Sequence, residues 1–230
     1  MQVDPLEKLQ RKLDGNISFR KQELSILKTQ IEASVGKTLN TFIRAGIVMI
    51  YAHWEGFIKE AAKEFLNYLN KQNIAQADLK DNFHAVALKY KFIDCSQSKK
   101  SSKHSELLNE IKYNSLSIFS VDLNKTDAPI VNTESNLKSS ALDEILFTLG
   151  IDKQPFELKY QLIDEKLLKS RNSIAHGVNV NFIGDSTNQA EQIAKNNYNE
   201  LYKSVLDLMD LFKEKILEMA EDKQYLKVIS

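Results

Sequence analysis

Two long stretches of the chain, residues 37–72 and 188–221, repeat apolar side chains at every third or fourth position. This is the period of an α-helix that buries one face. Only seven glycines and three prolines occur among 230 residues, and a sheet needs more of both for its tight turns. The sequence therefore predicts an all-α fold. The apolar stripe of residues 37–72 is wide, which predicts a central helix buried on more than one side, and close approach of other helices would explain Gly46 and Gly56.

Weaker periodicity predicts further helices on both sides of a less regular region. They fall at residues 4–14, 17–35, 78–92, 106–114, 137–149 and 156–176. Gly15-Asn16 either breaks the first two apart or only bends a single helix. Residues 95–104 are predicted as an exposed loop, and residues 120–136 as an irregular segment with room for a short strand. We expect one domain over residues 1–230, an antiparallel helical bundle of four to five long helices with an irregular insertion at about 75–137.

Residues that typically end or begin helices mark several of these boundaries. Ser105 is a plausible N-cap for the 106–114 helix, and Ser135 or Asn136 for the 137–149 helix. Gly150 is expected to end that helix, and Gly177 to close the 156–176 helix in a left-handed conformation.

The amino-acid composition limits which partners and which cell compartment the protein is expected to have. The chain has 31 basic and 31 acidic residues and a formal net charge of zero, so any binding of nucleic acid must come from a local patch. Its single cysteine, Cys95, cannot form an internal disulfide, which fits a reducing compartment. No run is long and apolar enough to span a membrane, and residues 1–8 lack the apolar core of a signal peptide. We therefore expect a cytoplasmic protein with no membrane partner.

Three chemically active side chains lie near the end of one predicted helix, in the hexapeptide Arg-Asn-Ser-Ile-Ala-His at residues 171–176. Arg171 keeps its charge and can hold a phosphate with two N–H groups. His176 can move a proton near neutral pH, and Asn172 shares its helix face. The three residues predict metal-independent chemistry on a phosphodiester, and RNA supplies its own nucleophile. The alternative is that the arginine and the histidine only bond the last carbonyls of the helix.

Cleavage of RNA without a metal sets a requirement on the number of histidines. A base must take the 2′-hydroxyl proton, an acid must protonate the leaving oxygen, and a cation must stabilise the charged phosphoryl oxygens. One imidazole cannot hold both protonation states at once. A symmetric dimer that brings together two copies of His176 and Arg171 meets the requirement. The sequence contains no H-E-x-x-H metal motif and no glycine-rich phosphate loop, so we expect neither a catalytic metal nor a cofactor.

A polar flank accompanies the apolar stripe of the first long helix. Arg44, Tyr51 and Glu55 fall on it, which predicts an internal polar pocket. Glu55 is a further candidate for the site, because it could orient His176 or pair with Arg171. An ordinary buried salt bridge, or exposure to solvent, is the alternative for Glu55.

A small basic segment at residues 99–104 contains three lysines and a histidine. It could contact RNA phosphates, although a solvated surface is the favoured interpretation.

The hexapeptide at residues 171–176 resembles the R-N-x-x-x-H signature of HEPN domains. Two further segments are similar to a branch of uncharacterised bacterial HEPN proteins: residues 47–59, which read IVMIYAHWEGFIK, and residues 133–137, which read TESNL and precede the apolar stretch 142–150. The resemblance runs over about residues 35–215.

HEPN domains are all-helical bundles that occur in RNases of toxin–antitoxin, restriction-linked and phage-defence systems. The resemblance implies a homodimeric, metal-independent endoribonuclease in which His176 moves protons, Arg171 holds the scissile phosphate and Asn172 orients one of them. It also implies an antitoxin or another operon-encoded partner protein. Some related toxins carry a tyrosine two residues after the histidine. Here that residue is Val178, so regulation through such a tyrosine is not expected.

A non-catalytic helical module is the alternative function. It would bind RNA or a partner protein through the same dimer groove, or would serve as an antitoxin-like subunit. A His176 that faces an open cleft favours the enzyme, and a buried, fully bonded His176 favours the module.

Overall fold

The computed structural model describes residues 4–113, 117–185 and 187–227, and most of them are helical. The α-helices are Pro5–Ala33 (α1), Gly36–Leu69 (α2), Asp81–Gln97 (α3), Ser101–Tyr113 (α4), Ser139–Leu149 (α5), Gln154–Glu157 (α6), Lys169–Ala175 (α7) and Asn188–Glu221 (α8). A 3-10 turn covers Gln76–Asp78 and a π-helical segment covers Leu162–Leu168. Within these ranges, β-structure is limited to isolated bridges. The all-α prediction is confirmed.

Helix α1 is continuous through Gly15-Asn16, so the glycine neither breaks nor ends it. Asp4 caps its first turn by accepting a hydrogen bond from the Leu6 N–H, and Pro5 occupies the first position, where its missing N–H costs nothing. Nothing lies within 4 Å of the place where a Gly15 side chain would be. The cost of this glycine, about 1 kcal/mol relative to alanine, is offset because the helix buries apolar side chains along its length.

Helix α1 runs antiparallel to both of the other long helices. It folds back on α2 after residues 34–35, and Lys12 on α1 lies 2.6 Å from Glu64 near the far end of α2. Along α8 the ion pairs run in opposite order, since Lys21 meets Asp210 whereas Asp14 meets Lys213. The antiparallel arrangement predicted for the bundle therefore holds for α1 against each neighbour.

Helices α2 and α8 run parallel to each other. Gly46 of α2 faces Tyr198 of α8, and further along Phe57 packs edge-on against Phe212, with 6.4 Å between ring centroids. The long crossover of residues 70–187 allows this direction, whereas a short loop would force antiparallel neighbours. A side chain at Gly46 would meet the Tyr198 ring at 2.5 Å, so the expected close helix approach is present here.

The centre of the protein is α2, as its wide apolar stripe predicts. Trp54, Phe57 and Ile58 have no solvent exposure, and the helix contacts α1, α5, α7 and α8. Its buried side chains belong to one continuous apolar core with those of its neighbours. None of the helices in the described ranges combines the length and the apolar character that crossing a bilayer requires.

The central insertion is more helical than predicted. Helix α3 continues to Gln97 and α4 already begins at Ser101, so the predicted 95–104 loop and the N-cap at Ser105 are wrong. Helix α4 buries none of its residues and is held to α3 by an ion pair between Glu110 and Lys91. Its first turn therefore carries no apolar pattern for sequence reasoning to detect. The predicted end of that helix at Asn114 lies outside the described residues.

The predicted 156–176 helix consists of three pieces. Helix α6 ends at Glu157, the π-helical segment follows, and α7 carries the hexapeptide. The π segment is tied to the start of α5, because Asp164 accepts hydrogen bonds from the Ser139 N–H at 2.8 Å and the Ser139 hydroxyl at 2.6 Å. Asp164 thus serves where a cap by Ser135 or Asn136 was predicted, and that prediction is wrong. Gly150 ends α5 with φ +70°, as predicted.

Candidate active site

Helix α7 ends in a tight reversal directly after the hexapeptide. Gly177 has φ +76°, its N–H donates to the Ile174 carbonyl, and the Val178 N–H donates to the Ser173 carbonyl, both at 3.0 Å. These two bonds form a Schellman closure, which requires a left-handed residue and so favours glycine. The predicted cap at Gly177 is confirmed. It leaves His176 as the C-cap, the residue directly after the last helical residue, Ala175.

Arg171 is held by neutral groups. Its Nη1 donates to Asn172 Oδ1 at 2.8 Å and to Asn136 Oδ1 at 3.1 Å. The guanidinium carbon lies 4.6 Å from the centroid of the Tyr51 ring, a cation–π distance. Within the described part of the chain, no carboxylate forms an ion pair with Arg171. Its positive charge is therefore positioned but not neutralised.

His176 is exposed to solvent. Its backbone N–H donates to the Asn172 carbonyl at 3.0 Å, and its imidazole makes no hydrogen bond with any residue that the structure describes. Asn172 lies one turn earlier, but its side chain turns toward Arg171. The geometry thus links Asn172 to the arginine rather than to the histidine.

Tyr51 of α2 forms the floor beneath Arg171. It is 2% exposed, and its hydroxyl oxygen accepts a hydrogen bond of 2.7 Å from the Leu137 N–H. Burial raises the pKa of Tyr51 to about 12, and a hydrogen bond with the Glu55 carboxylate adds to the effect. The phenol therefore stays neutral near pH 7 and provides a buried aromatic platform beneath the guanidinium.

Glu55 lies behind this platform. Its Oε1 accepts a hydrogen bond of 2.6 Å from the Thr133 hydroxyl. In the described residues it makes no ion pair with Arg171 and no hydrogen bond with His176. Glu55 thus reaches the hexapeptide indirectly, through Tyr51 and through the loop that contains Thr133 and Asn136.

That loop, residues 132–138, is strained and firmly held. Glu134 and Ser135 both have left-handed backbones, with φ of 52° and 65°. Such conformations cost a residue with a side chain about 1 kcal/mol or more, and they persist where the surroundings fix them. Here the fixing contacts run to Glu55 and Tyr51 of α2 and to Arg171 of α7.

The polar flank predicted on α2 forms a seam with the hexapeptide region. Arg44 Nη2 donates to the Val178 carbonyl at 3.1 Å, and Asn40 accepts from the Phe182 N–H at 2.8 Å. The chain that leaves His176 is therefore fastened to α2.

Sequence reasoning missed three residues that shape the site. Tyr51 was placed on the polar flank without a role, whereas Asn136 was interpreted as a cap and Thr133 as part of an irregular segment. The four-residue spacing of Tyr51 and Glu55 on α2 pointed to the tyrosine, and the TESNL segment at residues 133–137 contains the other two. Contacts across the fold, such as the one from Asn136 to Arg171, leave no trace in local periodicity.

Two further predictions concern a metal site and the basic segment at residues 99–104. In the described residues, no group of three or more histidine, cysteine, aspartate or glutamate side chains is arranged to hold a metal. In the basic segment, Lys103 pairs with Glu106 at 3.2 Å and His104 Nε2 lies 2.9 Å from the Ser98 carbonyl. These contacts occur within the α3–α4 hairpin, so the structure does not link the segment to the hexapeptide.

Comparison with known proteins gives one match. The family model described as RiboL-PSP-HEPN matches residues 16–218, which cover most of the chain. No curated protein and no solved structure gives a significant match. The chain therefore belongs to this family of HEPN proteins, and its predicted membership of the superfamily is confirmed. The narrower branch stays a prediction.

Proposed function

We propose that this HEPN protein is a metal-independent endoribonuclease that cuts RNA by attack of the 2′-hydroxyl on the adjacent phosphate. The observation that carries the proposal is the contrast within the hexapeptide. Arg171 is fixed by two amides and a ring, whereas His176 is exposed at the helix end and its imidazole has no hydrogen-bond partner among the described residues. This chemistry needs a fixed cation that stabilises the charged phosphoryl oxygens and an accessible side chain that can exchange protons.

Arg171 would hold the scissile phosphate. Its Nη1 is occupied by Asn172 and Asn136, while Nη2 and Nε have no hydrogen-bond partner among the described residues. Two parallel N–H groups on a guanidinium match two phosphate oxygens. Because the amides and the Tyr51 ring fix the arginine in advance, little reorganisation is needed as charge builds on the phosphoryl group.

His176 would move the protons, in a site made by two chains. One imidazole cannot be the base and the acid in the same state, so a two-fold dimer would supply the second. The exposed position of His176 supports this arrangement, since a partner's histidine can approach it. Asn172 and Asn136 would orient Arg171, and Glu55 would act at a distance through Tyr51. We propose that the enzyme acts as a toxin or as a phage-defence or restriction-linked effector. Its partner would be an antitoxin or another protein encoded in the same operon.

Cleavage assays with defined substrates test the reaction. The purified protein should cut single-stranded RNA in EDTA and leave a 2′,3′-cyclic phosphate. A substrate with deoxyribose at the cut position should survive, because the nucleophile is then missing. Cleavage that needs magnesium, or that proceeds on DNA, contradicts the mechanism.

Oligomeric state tests the composite site. Light scattering should report a dimer at micromolar concentration. A monomer that retains full activity contradicts the shared-histidine mechanism, although not the ribonuclease activity itself.

A non-catalytic interaction module is the second candidate function. The observation in its favour is the α3–α4 hairpin, where Phe92, Leu108, Ile111 and Tyr113 are 45%, 54%, 41% and 75% exposed. Exposed apolar surface of this kind can serve as a protein-binding face. If the folded wild-type protein binds RNA or a partner but cuts no RNA, this function replaces the first.

A further inference from the structure

A groove of about 400 Å³ lies where α2, the π-helical segment and α8 meet. Ser170 of α7, the residue directly before Arg171, lines it. The volume falls within the roughly 300–1,000 Å³ typical of small-molecule sites. One wall therefore belongs to α7, the helix that also carries the proposed phosphate-binding residue.

The groove contains a buried polar group without a partner. Tyr198 lines it and is 3% exposed, and its hydroxyl makes no hydrogen bond with any described residue. Leaving such a group unsatisfied costs about 1–3 kcal/mol. The absent side chain of Gly46 provides the space that the Tyr198 ring fills, since a Cβ there would lie 2.5 Å from it. The hydroxyl lies against Gly46 and is closed off from solvent, so Tyr198 forms part of the groove wall.

A second irregular feature forms another wall. Leu162, Glu165 and Lys166 of the π-helical segment line the groove. π-Helical turns are rare and concentrate at functional sites. The π-helical turn thus shapes the groove as well as contributing to the packing of the bundle.

The lining has the chemistry of a nucleobase site. Ile43, Ile47 and Phe182 supply apolar walls for the faces of a ring, and Asn197 supplies an amide at the rim. Two carboxylates, those of Glu165 and Glu200, also line it, against the single ammonium of Lys166. Carboxylates repel a phosphate but accept hydrogen bonds from the edge of a base. Guanine offers two adjacent N–H groups on its Watson–Crick edge, and adenine offers one.

We propose that this groove binds an unstacked guanine base of the RNA substrate and so directs cleavage next to guanine. Single-stranded RNA is commonly recognised in this way, with splayed bases held by apolar side chains and read along their edges. The inference rests on the proposed ribonuclease function. It adds a specificity site that the hexapeptide does not provide.

Binding of guanosine 5′-monophosphate to the His176→Ala protein tests the groove without any cleavage. Asn197→Leu removes the rim amide and fills the groove, and calorimetry should show binding weakened by about tenfold or more. Asn196→Leu is the matched control, since Asn196 is an exposed neighbour that does not line the groove; its affinity should stay within about twofold. Adenosine 5′-monophosphate should bind more weakly, and ribose 5-phosphate should not compete.

Several results would overturn the inference. The inference fails if guanosine 5′-monophosphate does not bind, or if the Asn197→Leu and Asn196→Leu variants bind it with equal affinity. It also fails if ribose 5-phosphate competes as well as the nucleotide does. If Asn197→Leu instead abolishes dimerisation without affecting nucleotide binding, the groove is an interface between copies. Should Asn197→Leu fail to fold, Ser204→Leu fills the same groove from the next turns of α8.

Cleavage patterns separate this inference from the proposed function. On an RNA of mixed sequence, the wild type should cut next to guanine, and Asn197→Leu should cut without that preference. Cleavage with no base preference in either protein leaves the ribonuclease function standing and rejects the groove. Guanine binding in the groove of a folded protein that cuts no RNA rejects the ribonuclease and retains the site.

Discussion

Two arginine–histidine pairs lie in this molecule in opposite surroundings. Arg20 of α1 and His53 of α2 are 6% and 7% exposed, and Arg20 Nη1 lies 3.4 Å from His53 Nδ1. Carboxylates serve both: Glu60 lies 3.4 Å from Arg20 and Glu23 lies 3.0 Å from His53. Here the two side chains close a seam between helices.

Arg171 and His176, at the end of α7, have no such neutralising partners among the residues that the structure describes. Arg171 is surrounded by amides and a phenol ring, and His176 is open to solvent. The residue types are the same, so the difference lies in what surrounds them. Carboxylates and burial turn an arginine–histidine pair into structure, whereas neutral donors and exposure leave it available for a charged substrate.

The largest effect is expected from Arg171→Lys. An ammonium is a point charge that cannot span two phosphate oxygens or stack on Tyr51 as the planar group does. Cleavage should fall by about a hundredfold or more, and combining it with His176→Ala should add little, because the two act as a unit. Steady-state cleavage kinetics on folded protein measure this. Near-normal turnover in Arg171→Lys contradicts a bidentate role.

Removing the buried arginine should affect stability instead. Arg20→Leu deletes the partner of His53 and Glu60 and should lower the free energy of unfolding by about 2 kcal/mol. The loss is below that of a fully buried pair, about 3–5 kcal/mol, because the Glu60 side chain is half exposed. Urea unfolding measures it. Cleavage per folded molecule should be unchanged, and a specific loss of activity would contradict the division between the two pairs.

Asn136→Asp would give Arg171 a carboxylate partner, as Arg20 already has. The change places a carboxylate where an amide now lies 3.1 Å from Arg171 Nη1. With its charge neutralised, the arginine should bind phosphate less well, and cleavage should fall by about tenfold or more, while stability stays equal or rises. Asn136→Ala is the control and should cost less activity. Equal activity in Asn136→Asp and wild type would show that the free charge is unimportant.

Two glycines at the interface of α1 and α2 differ in the space around them. A side chain at Gly56 would lie 2.8 Å from Arg20 Nη1, whereas Gly15 has open space. Gly15→Ala should raise the free energy of unfolding by up to about 1 kcal/mol. Gly56→Ala should lower it by about 1 kcal/mol, since crowding of the held guanidinium exceeds the helical gain. Urea midpoints test the opposite signs, and a shared sign contradicts the packing argument.

The smallest effect is a pH dependence of stability from His53. Burial, and then the Arg20 charge, lower the pKa of His53 below its usual 6.5, although Glu23 opposes this. The unfolded chain therefore takes up the proton first, so stability is complete above pH 6.5 and falls as the pH drops toward the folded pKa. His53→Gln should reduce the loss of melting temperature between about pH 7.5 and about pH 5.5. An unchanged slope contradicts the lowered pKa.

Local patterns predicted the long helices well. Helix α8 begins and ends at the predicted residues, and Thr187 caps it by accepting from the Ala190 N–H. Periodicity and the left-handed glycines at positions 150 and 177 are encoded within a few residues of where they act. For the same reason the Arg171, Asn172 and His176 hexapeptide was visible in the sequence.

What the sequence did not predict depends on contacts between distant residues. The π-helical segment is tied to α5 through Asp164, and Asn136 meets Arg171 across 35 positions. Helix α4 has no buried face, so its first turn carries no pattern. The polar flank of α2 indicated a pocket, but the role of Glu55 as a brace for Tyr51 required the folded chain.

The exposed histidine, His176, is expected to transfer the protons of the cleavage reaction. Wild type, His176→Ala and a control, His104→Ala, whose histidine is exposed on the α3–α4 hairpin, should be compared for RNA cleavage in EDTA and for melting temperature. We predict that all three melt alike and that His176→Ala alone loses cleavage, by about a hundredfold or more. A folded His176→Ala protein that cleaves RNA as fast as wild type would contradict the account.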